Sequence, residues 1–242
     1  DLYPNRILAA LAYPPDPQDL QPSALPPTHT WLRLFGALSE DLLESSFKQL
    51  LEKACAELPR GMTLGVVALH EWVNQLMKAN RFEVTQQIVL LEWNGLLPVP
   101  HPPAPGVRIR RMELEDIEQV HEIDNLAFEP LWRNSRDEVM RSTVQSSYST
   151  VAELDGRIIG YQISTGEFFA AHLARLAVHP EYMRHSVGYT LVDDLMKYFI
   201  HQMQVDRLTV NTQNDNYASQ ALYKRMCFDL TGQSFPVYTK VL

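Results

Sequence analysis

Residues 71–87, EWVNQLMKANRFEVTQQ, can be laid on residues 217–233, YASQALYKRMCFDLTGQ, without a gap. The pairs Leu76/Leu222, Lys78/Lys224, Phe82/Phe228, Thr85/Thr231 and Gln87/Gln233 coincide. Each copy follows a run of strand character, MTLGVVAL in the first and DRLTVNTQ in the second. Farther back, TWLRLFGA matches AHLARLAV, and a helical pattern follows both. Four elements in the same order favour duplication over a chance match of two strand-helix-strand segments. A chain patterned this way is confined to α/β architectures with helices packed on a sheet.

The 242 residues are 45% hydrophobic and 21% charged, which excludes disorder and fibre and allows a sizeable core. Twenty-one basic against 29 acidic residues leave a net charge of −8, an argument against a protein that grips nucleic acid by its phosphates. Cys55 and Cys227 are too few for a disulfide framework and lack the CxxC spacing of zinc or redox sites, so no metal centre is expected. No apolar run approaches the roughly 18 residues of a membrane span, and DLYPNRILAALAYPP lacks the pattern of an export signal. The expectation is a cytoplasmic protein with no membrane or nucleic-acid partner.

PVPHPPAPG, residues 98–106, has five prolines in nine positions and reads as an extended linker. It divides the chain into an N-terminal unit, 1–97, and a C-terminal domain, 107–242. A second Pro-rich stretch, 14–27, is expected as a loop after a short helical N-terminus. In the C-terminal domain VRIRRM reads as a strand and ELEDIEQVHEIDNLAF as an amphipathic helix, with a further helix over 131–147. Strands at 148–154 and 158–164 flank Asp155-Gly156, a two-residue hairpin turn. A strand at 171–178, a helix near 187–203, a strand at 206–212, a helix near 216–226 and strand from Phe228 onward complete a mixed, partly antiparallel sheet flanked by helices.

The chemistry concentrates at 173–191, LARLAVHPEYMRHSVGYTL: an apolar strand, a Pro-containing turn and a loop entering a helix. Amides at such a helix start bind phosphate without a large positive charge. Gly188 would permit close backbone approach, and Arg184 and His185 could add charge-assisted bonds. An ordinary strand-to-helix connection reads equally well from the loop alone.

LAVHPEYMRHSVGYTLV resembles the phosphate-loop motif of the GNAT superfamily of N-acyltransferases, [QR]-x-x-G-x-[GA], and NYASQALYKRMCF resembles its downstream N-x-x-A-x-x-L-Y-x-x-x-G-F pattern. Two motifs in the correct order implicate Val107 to Leu242. The resemblance implies acetyl-CoA as co-substrate, wedged between two splayed strands beside the backbone of Leu176, Ala177 and Val178. The pyrophosphate would lie on the amides of Arg184, His185, Ser186, Val187, Gly188 and Tyr189. Asn216 matches the asparagine that contacts the cofactor, and Tyr223 the tyrosine near the thioester sulfur, where a phenol can protonate a departing thiolate. A core aromatic on an amphipathic helix is the alternative for Tyr223. Met183, Ser186 and Cys227 depart from the motif, the last two at glycine positions.

A general base is poorly marked. In the ribosomal-protein-alanine acetyltransferases, which this domain resembles, a glutamate stands where this chain has Asn211. His172 and Glu167 are the remaining candidates, each open to a purely structural or solvated role. Phe128 and Trp132 could wall the acceptor pocket, and packing alone would explain them equally.

The first copy has Met77 in place of Tyr223, and Glu40, Asp41 and Glu44 follow TWLRLFGA, where they would repel a pyrophosphate. It reads as a degenerate, partial GNAT-like unit, an arrangement similar to mycothiol synthase. The expected activity is transfer of an acetyl group to a primary amine of a small molecule or peptide N-terminus, by a monomer or homodimer. A catalytically silent acyl-CoA-binding or scaffold protein is the alternative, and pairing of the N-terminal unit with another chain a third.

Overall fold

The computed structural model describes residues 7–13 and 28–242, so the Pro-rich stretch 14–27 lies outside the described residues. The chain divides into two compact units, one of residues 1–87 with 235–242, the other of residues 88–234.

The first unit contains β1 (Ala9–Ala12), β2 (His29–Trp31), β3 (Leu34–Ala37), α1 (Leu43–Glu57), β4 (Thr63–Val67) and α2 (Glu71–Ala79). Residues 9–12 are strand, where a helical start was expected. Ala-Ala-Leu-Ala is too short for a stable helix and pairs instead with β3, from Ala9↔Ala37 to Ala12↔Leu34. Phe47, Leu51 and Ala54 recur at helical spacing and turn one face of α1 inward. Phe47 and Leu51 meet Leu64, Val66, Leu76, Met77, Phe82 and Tyr238 in one core.

TWLRLFGA is two strands, not one. β2 runs parallel to β4 from His29↔Thr63 to Trp31↔Gly65. The Leu32 N–H still reaches the Gly65 carbonyl, but that of Arg33 turns to Ala12, and β3 stays with β1.

The second unit contains β6 (Arg108–Arg111), α3 (Ile117–Ala127), α4 (Arg136–Gln145), β7 (Tyr148–Leu154), β8 (Arg157–Glu167), β9 (Ala170–Val178), α5 (Val187–Met196), β10 (Arg207–Gln213) and α6 (Tyr217–Arg225). The expected mixed sheet is present: β6, β7, β8 and β9 are successively antiparallel, and β9 is parallel to β10. Asp155 and Gly156 both adopt positive φ, as the hairpin turn requires. Ile117, Val120, Ile123 and Val139 of α3 and α4 cover one face with Val151, Tyr161 and Ile163. Leu195 of α5 and Tyr223 of α6 cover the other with Leu173, Leu208 and Val210. The expected helix near 187–203 is α-helical only to Met196 and continues as a π-helix over Lys197–Gln202.

Two long strands, β5 (Glu83–Trp93) and β11 (Phe228–Val241), are divided between the units. β5 closes the first copy of the repeat, yet its residues 88–92 pair antiparallel with β10, from Ile88↔Gln213 to Glu92↔Thr209. β11 closes the second copy, yet its residues 237–241 pair antiparallel with β4. The unit boundary therefore falls inside these strands. The Pro-rich segment 98–106 belongs to the second unit and packs on α5: Ala104 is buried and its N–H donates to Thr190 Oγ1 at 2.9 Å. Prolines lack the N–H groups that a sheet must satisfy, so such a segment can lie flat on a helix.

Candidate functional site

β9 and β10 are paired only from Ala170↔Arg207 to Leu173↔Val210. Beyond Leu173 the two strands part, and β9 stays with β8 alone as far as Val178↔Gly160. The parting coincides with a β-bulge. Ile163 faces Arg175 and Ser164 faces Leu173, which leaves Ala174 as the extra, exposed residue that bends the strand.

The same register fixes which backbone groups are free. The His179 N–H donates to the Ile159 carbonyl, so alternate residues Ala177 and Arg175 also face β8. The N–H groups of Leu176 and Val178 therefore face the gap. Ala177 turns its backbone to β8 and buries its side chain against the α3 layer.

At this end of β9 the chain enters α5. Arg184 and Ser186 are both left-handed, with φ of +65° and +64°. Thr190 N–H is the first to bond within the helix, to the Ser186 carbonyl, so the N–H groups of Val187, Gly188 and Tyr189 have no intrahelical acceptor. A β-carbon on Gly188 would lie 3.3 Å from Leu222 and 3.7 Å from Val178, so glycine here permits close packing of α5 on α6. Ser186 Oγ is 2.9 Å from His101 Nε2, and His101 Nδ1 is 2.7 Å from a guanidinium nitrogen of Arg225. The His185 ring bonds the Met183 carbonyl through Nδ1 at 2.9 Å.

Tyr223 is buried on α6 in one cluster with Tyr189 and Phe228, and desolvation pushes its phenol well above the ordinary range. It is a proton holder and donor at neutral pH, not a base. Asn216 caps α6, accepting the Ser219 N–H at 3.1 Å.

His172 lies two residues before the bulge. Its Nδ1 is 2.9 Å from Thr209 Oγ1, which itself donates to the Ala171 carbonyl at 3.4 Å, so the ring donates through Nδ1 and keeps a lone pair on Nε2. Burial pushes its pKa down, so the neutral form dominates at pH 7. Glu167 is exposed at the β8–β9 hairpin, opposite Ala170. Four residues of strand, roughly 13 Å, separate it from Ala174, and the fold does not bring it to the gap. Asn211 is exposed on β10, just past the last β9 pair.

Phe128 precedes a short 3₁₀ turn, Pro130–Trp132, and Trp132 ends it. A cluster that the sequence reading missed holds this segment. Asp124, with no exposed surface, receives Arg175 Nε and Nη2, both at 2.8 Å, the Asn134 N–H at 2.8 Å, and the Tyr161 hydroxyl. Arg175 also bonds the Trp132 carbonyl at 2.6 Å and stacks 3.6 Å above the Phe128 ring. The signal was available: Asp124 interrupts the apolar stripe of its helix, and Arg175 interrupts the apolar run AHLARLAV.

Among the described residues no helix is long and apolar enough to cross a membrane, and no group of three His, Cys, Asp or Glu is placed to hold a metal ion.

Residues 117–228 match the acetyltransferase (GNAT) family model. A candidate ribosomal protein bS18-alanine N-acetyltransferase of Bacillus subtilis is 29% identical over 119 residues, 48% of this chain and 77% of that one. A GCN5-related N-acetyltransferase from Sphaerobacter thermophilus shares the fold over 96% of this chain and 76% of its own, with a TM-score of 0.67 and 11% identity. A tandem GNAT protein from the clavulanic acid biosynthesis pathway does so over 98% and 79%, with a TM-score of 0.67 and 17% identity. The strand that parts at a bulge and the open amides of the following helix both lie within residues 117–228, the part of the chain that matches the acetyltransferase (GNAT) family model.

Proposed function

We propose that this chain moves an acetyl group from acetyl-CoA to a primary amine, of a small molecule or a peptide N-terminus, by direct attack. The observation that carries the reading is the gap between β9 and β10, which opens after Leu173 and Val210 beside the free amides of Val187, Gly188 and Tyr189. An elongated group with a diphosphate at one end fits these donors. The diphosphate oxygens accept from the α5 amides, aided by Arg184 and His185, and the arm lies along the free N–H groups of Leu176 and Val178. Bound acetyl-CoA supplies a thioester, an acyl group activated toward amines.

The remaining roles belong to the protein. The Val178 N–H is a pre-oriented donor for a developing oxyanion. The Tyr223 hydroxyl donates to the sulfur, and its raised pKa makes it a hydrogen-bond donor before it is a proton donor. His172 Nε2 takes the proton of the incoming ammonium, directly or through water, and Phe128 and Trp132 bound the acceptor. The Bacillus subtilis relative's name supports a peptide N-terminal alanine within the acceptor class.

In the same reading, residues 1–97 are a partial copy that has lost CoA binding. Its support is conformational as well as sequential. Arg81 and Cys227 are equivalent in the repeat, and both end their helices left-handed, with φ of +60° and +63°. Leu32-Arg33, where β2 gives way to β3, is the equivalent of Leu173-Ala174, where β9 leaves β10.

Calorimetric titration with CoA and acetyl-CoA, then turnover with an amine and peptide panel, tests the proposal. The expectation is binding near micromolar Kd, abolished in Ser186→Trp, and turnover lowered about 10²-fold or more by Tyr223→Phe. Absence of binding would overturn the cofactor assignment. Binding without thioester consumption across the panel would favour a silent acyl-CoA-binding protein, the reading that Asn211 supports.

A further inference from the structure

We propose that His101 and Arg225 are positioning residues for the diphosphate end of the site: through them the Pro-rich segment holds Ser186 in the left-handed conformation that the loop requires. The inference rests on residues 184–189 being the diphosphate site.

Ser186 stands where the motif has glycine, yet keeps a glycine's backbone, with φ of +64° and ψ of +9°. A side chain disfavours this conformation, because Cβ crowds the following carbonyl oxygen. A serine stays there only where its surroundings over-determine it.

Two tethers do so, and both come from residues 98–106. An arginine nitrogen can only donate, so Arg225 fixes His101 Nδ1 as an acceptor. The neutral ring then carries its proton on Nε2 and donates to Ser186 Oγ at 2.9 Å. Tyr189 packs edge-on against the same ring, with centroids 4.9 Å apart. The second tether takes the main chain: the Ala104 N–H donates to Thr190 Oγ1, and that hydroxyl donates to the Ser186 carbonyl, each at 2.9 Å. Side chain and carbonyl of one residue are thus both held by a segment distant in sequence. If Ser186 relaxed to negative φ, the peptide plane to Val187 would rotate and carry that amide out of line with its neighbours.

The test is a double-mutant cycle on the full chain. His101→Ala is expected to raise the Kd for CoA about tenfold, the size of a single left-handed penalty. Ser186→Gly is expected to bind CoA at least as tightly as the native chain, because glycine needs no tether. Adding His101→Ala in that background is expected to change the Kd less than twofold. An equal loss in both backgrounds, or none in either, overturns the proposal. Thermal unfolding without ligand gives an independent readout. His101→Ala should lower Tm by roughly 3–6 °C beside Ser186 and by less than half as much beside Ser186→Gly; equal shifts refute the tether. A native chain that binds no CoA would refute the cofactor reading alone, and the thermal cycle would still decide whether His101 holds Ser186.

Discussion

Replacing Arg175 by Met would remove the counter-charge of Asp124, a carboxylate with no exposed surface. Arg175 itself is only 15% exposed, so solvent screens the pair little. Two donors would remain on the carboxylate, the Tyr161 hydroxyl and the Asn134 N–H. Hydrogen bonds from neutral groups do not replace a bidentate guanidinium, and breaking a buried pair by removing one partner costs about 3–5 kcal/mol. For a chain of this size that corresponds to a fall in Tm of roughly 6–20 °C. Urea denaturation followed by Trp fluorescence measures the loss. The same substitution also removes the Arg175 bond to the Trp132 carbonyl and unstacks Phe128, so acceptor KM should rise in step. Asp124→Asn and the double mutant complete the cycle, with an expected coupling of about 2 kcal/mol or more. A loss below about 1 kcal/mol for Arg175→Met would refute the view that this pair fastens the 128–134 segment.

Cys227→Gly should stabilise the chain by about 0.5–1 kcal/mol, because φ of +63° suits glycine and the relief exceeds the added freedom of the unfolded chain; denaturation would contradict this by showing no gain. A β-carbon on Gly166 would come 2.5 Å from Phe199, a fully packed ring, so Gly166→Ala should cost about 1–3 kcal/mol. An unchanged Tm would show that the π-helix carrying Phe199 yields. Because the folded chain holds His172 below 6.5, unfolding takes up a proton as pH falls through about 6.5. Stability should be full above that pH and decline below it. His172→Gln should flatten this limb in urea titrations between pH 7.5 and 5.5, and an unaltered profile would sink the assignment.

Much of the second unit was legible because its elements obey simple periods. The strand 148–154 agrees residue for residue, and the stripe Ile117, Val120, Ile123 gave α3. What the sequence hid were features set by partners distant along the chain. TWLRLFGA has the composition of one strand, and only its neighbours, β4 for one end and β1 for the other, break it in two. Five prolines marked 98–106 as extended, but could not say that it lies on α5. At the candidate site Ser186 and Cys227 stand at glycine positions of the motif. The backbone at Ser186 and Cys227 is nonetheless left-handed, so the substitutions changed side chains and left the path intact.

The crossing-over of the final strands has a consequence for how the chain comes to exist. β4 is synthesised well before its partner, Val237 to Val241. A contact between positions about 170 apart closes a loop whose entropy costs about 4–5 kcal/mol by the logarithmic law. Nothing local offsets that cost until the second half is ordered. During translation the N-terminal half must therefore wait with one edge of its sheet bare, a template for other chains. Its folding rate should follow the emergence of Val237 to Val241, not that of its own residues alone. Cutting the gene at the Pro-rich segment would yield two fragments that each lack a strand and carry the other's, and each should recover its sheet only when they are expressed together.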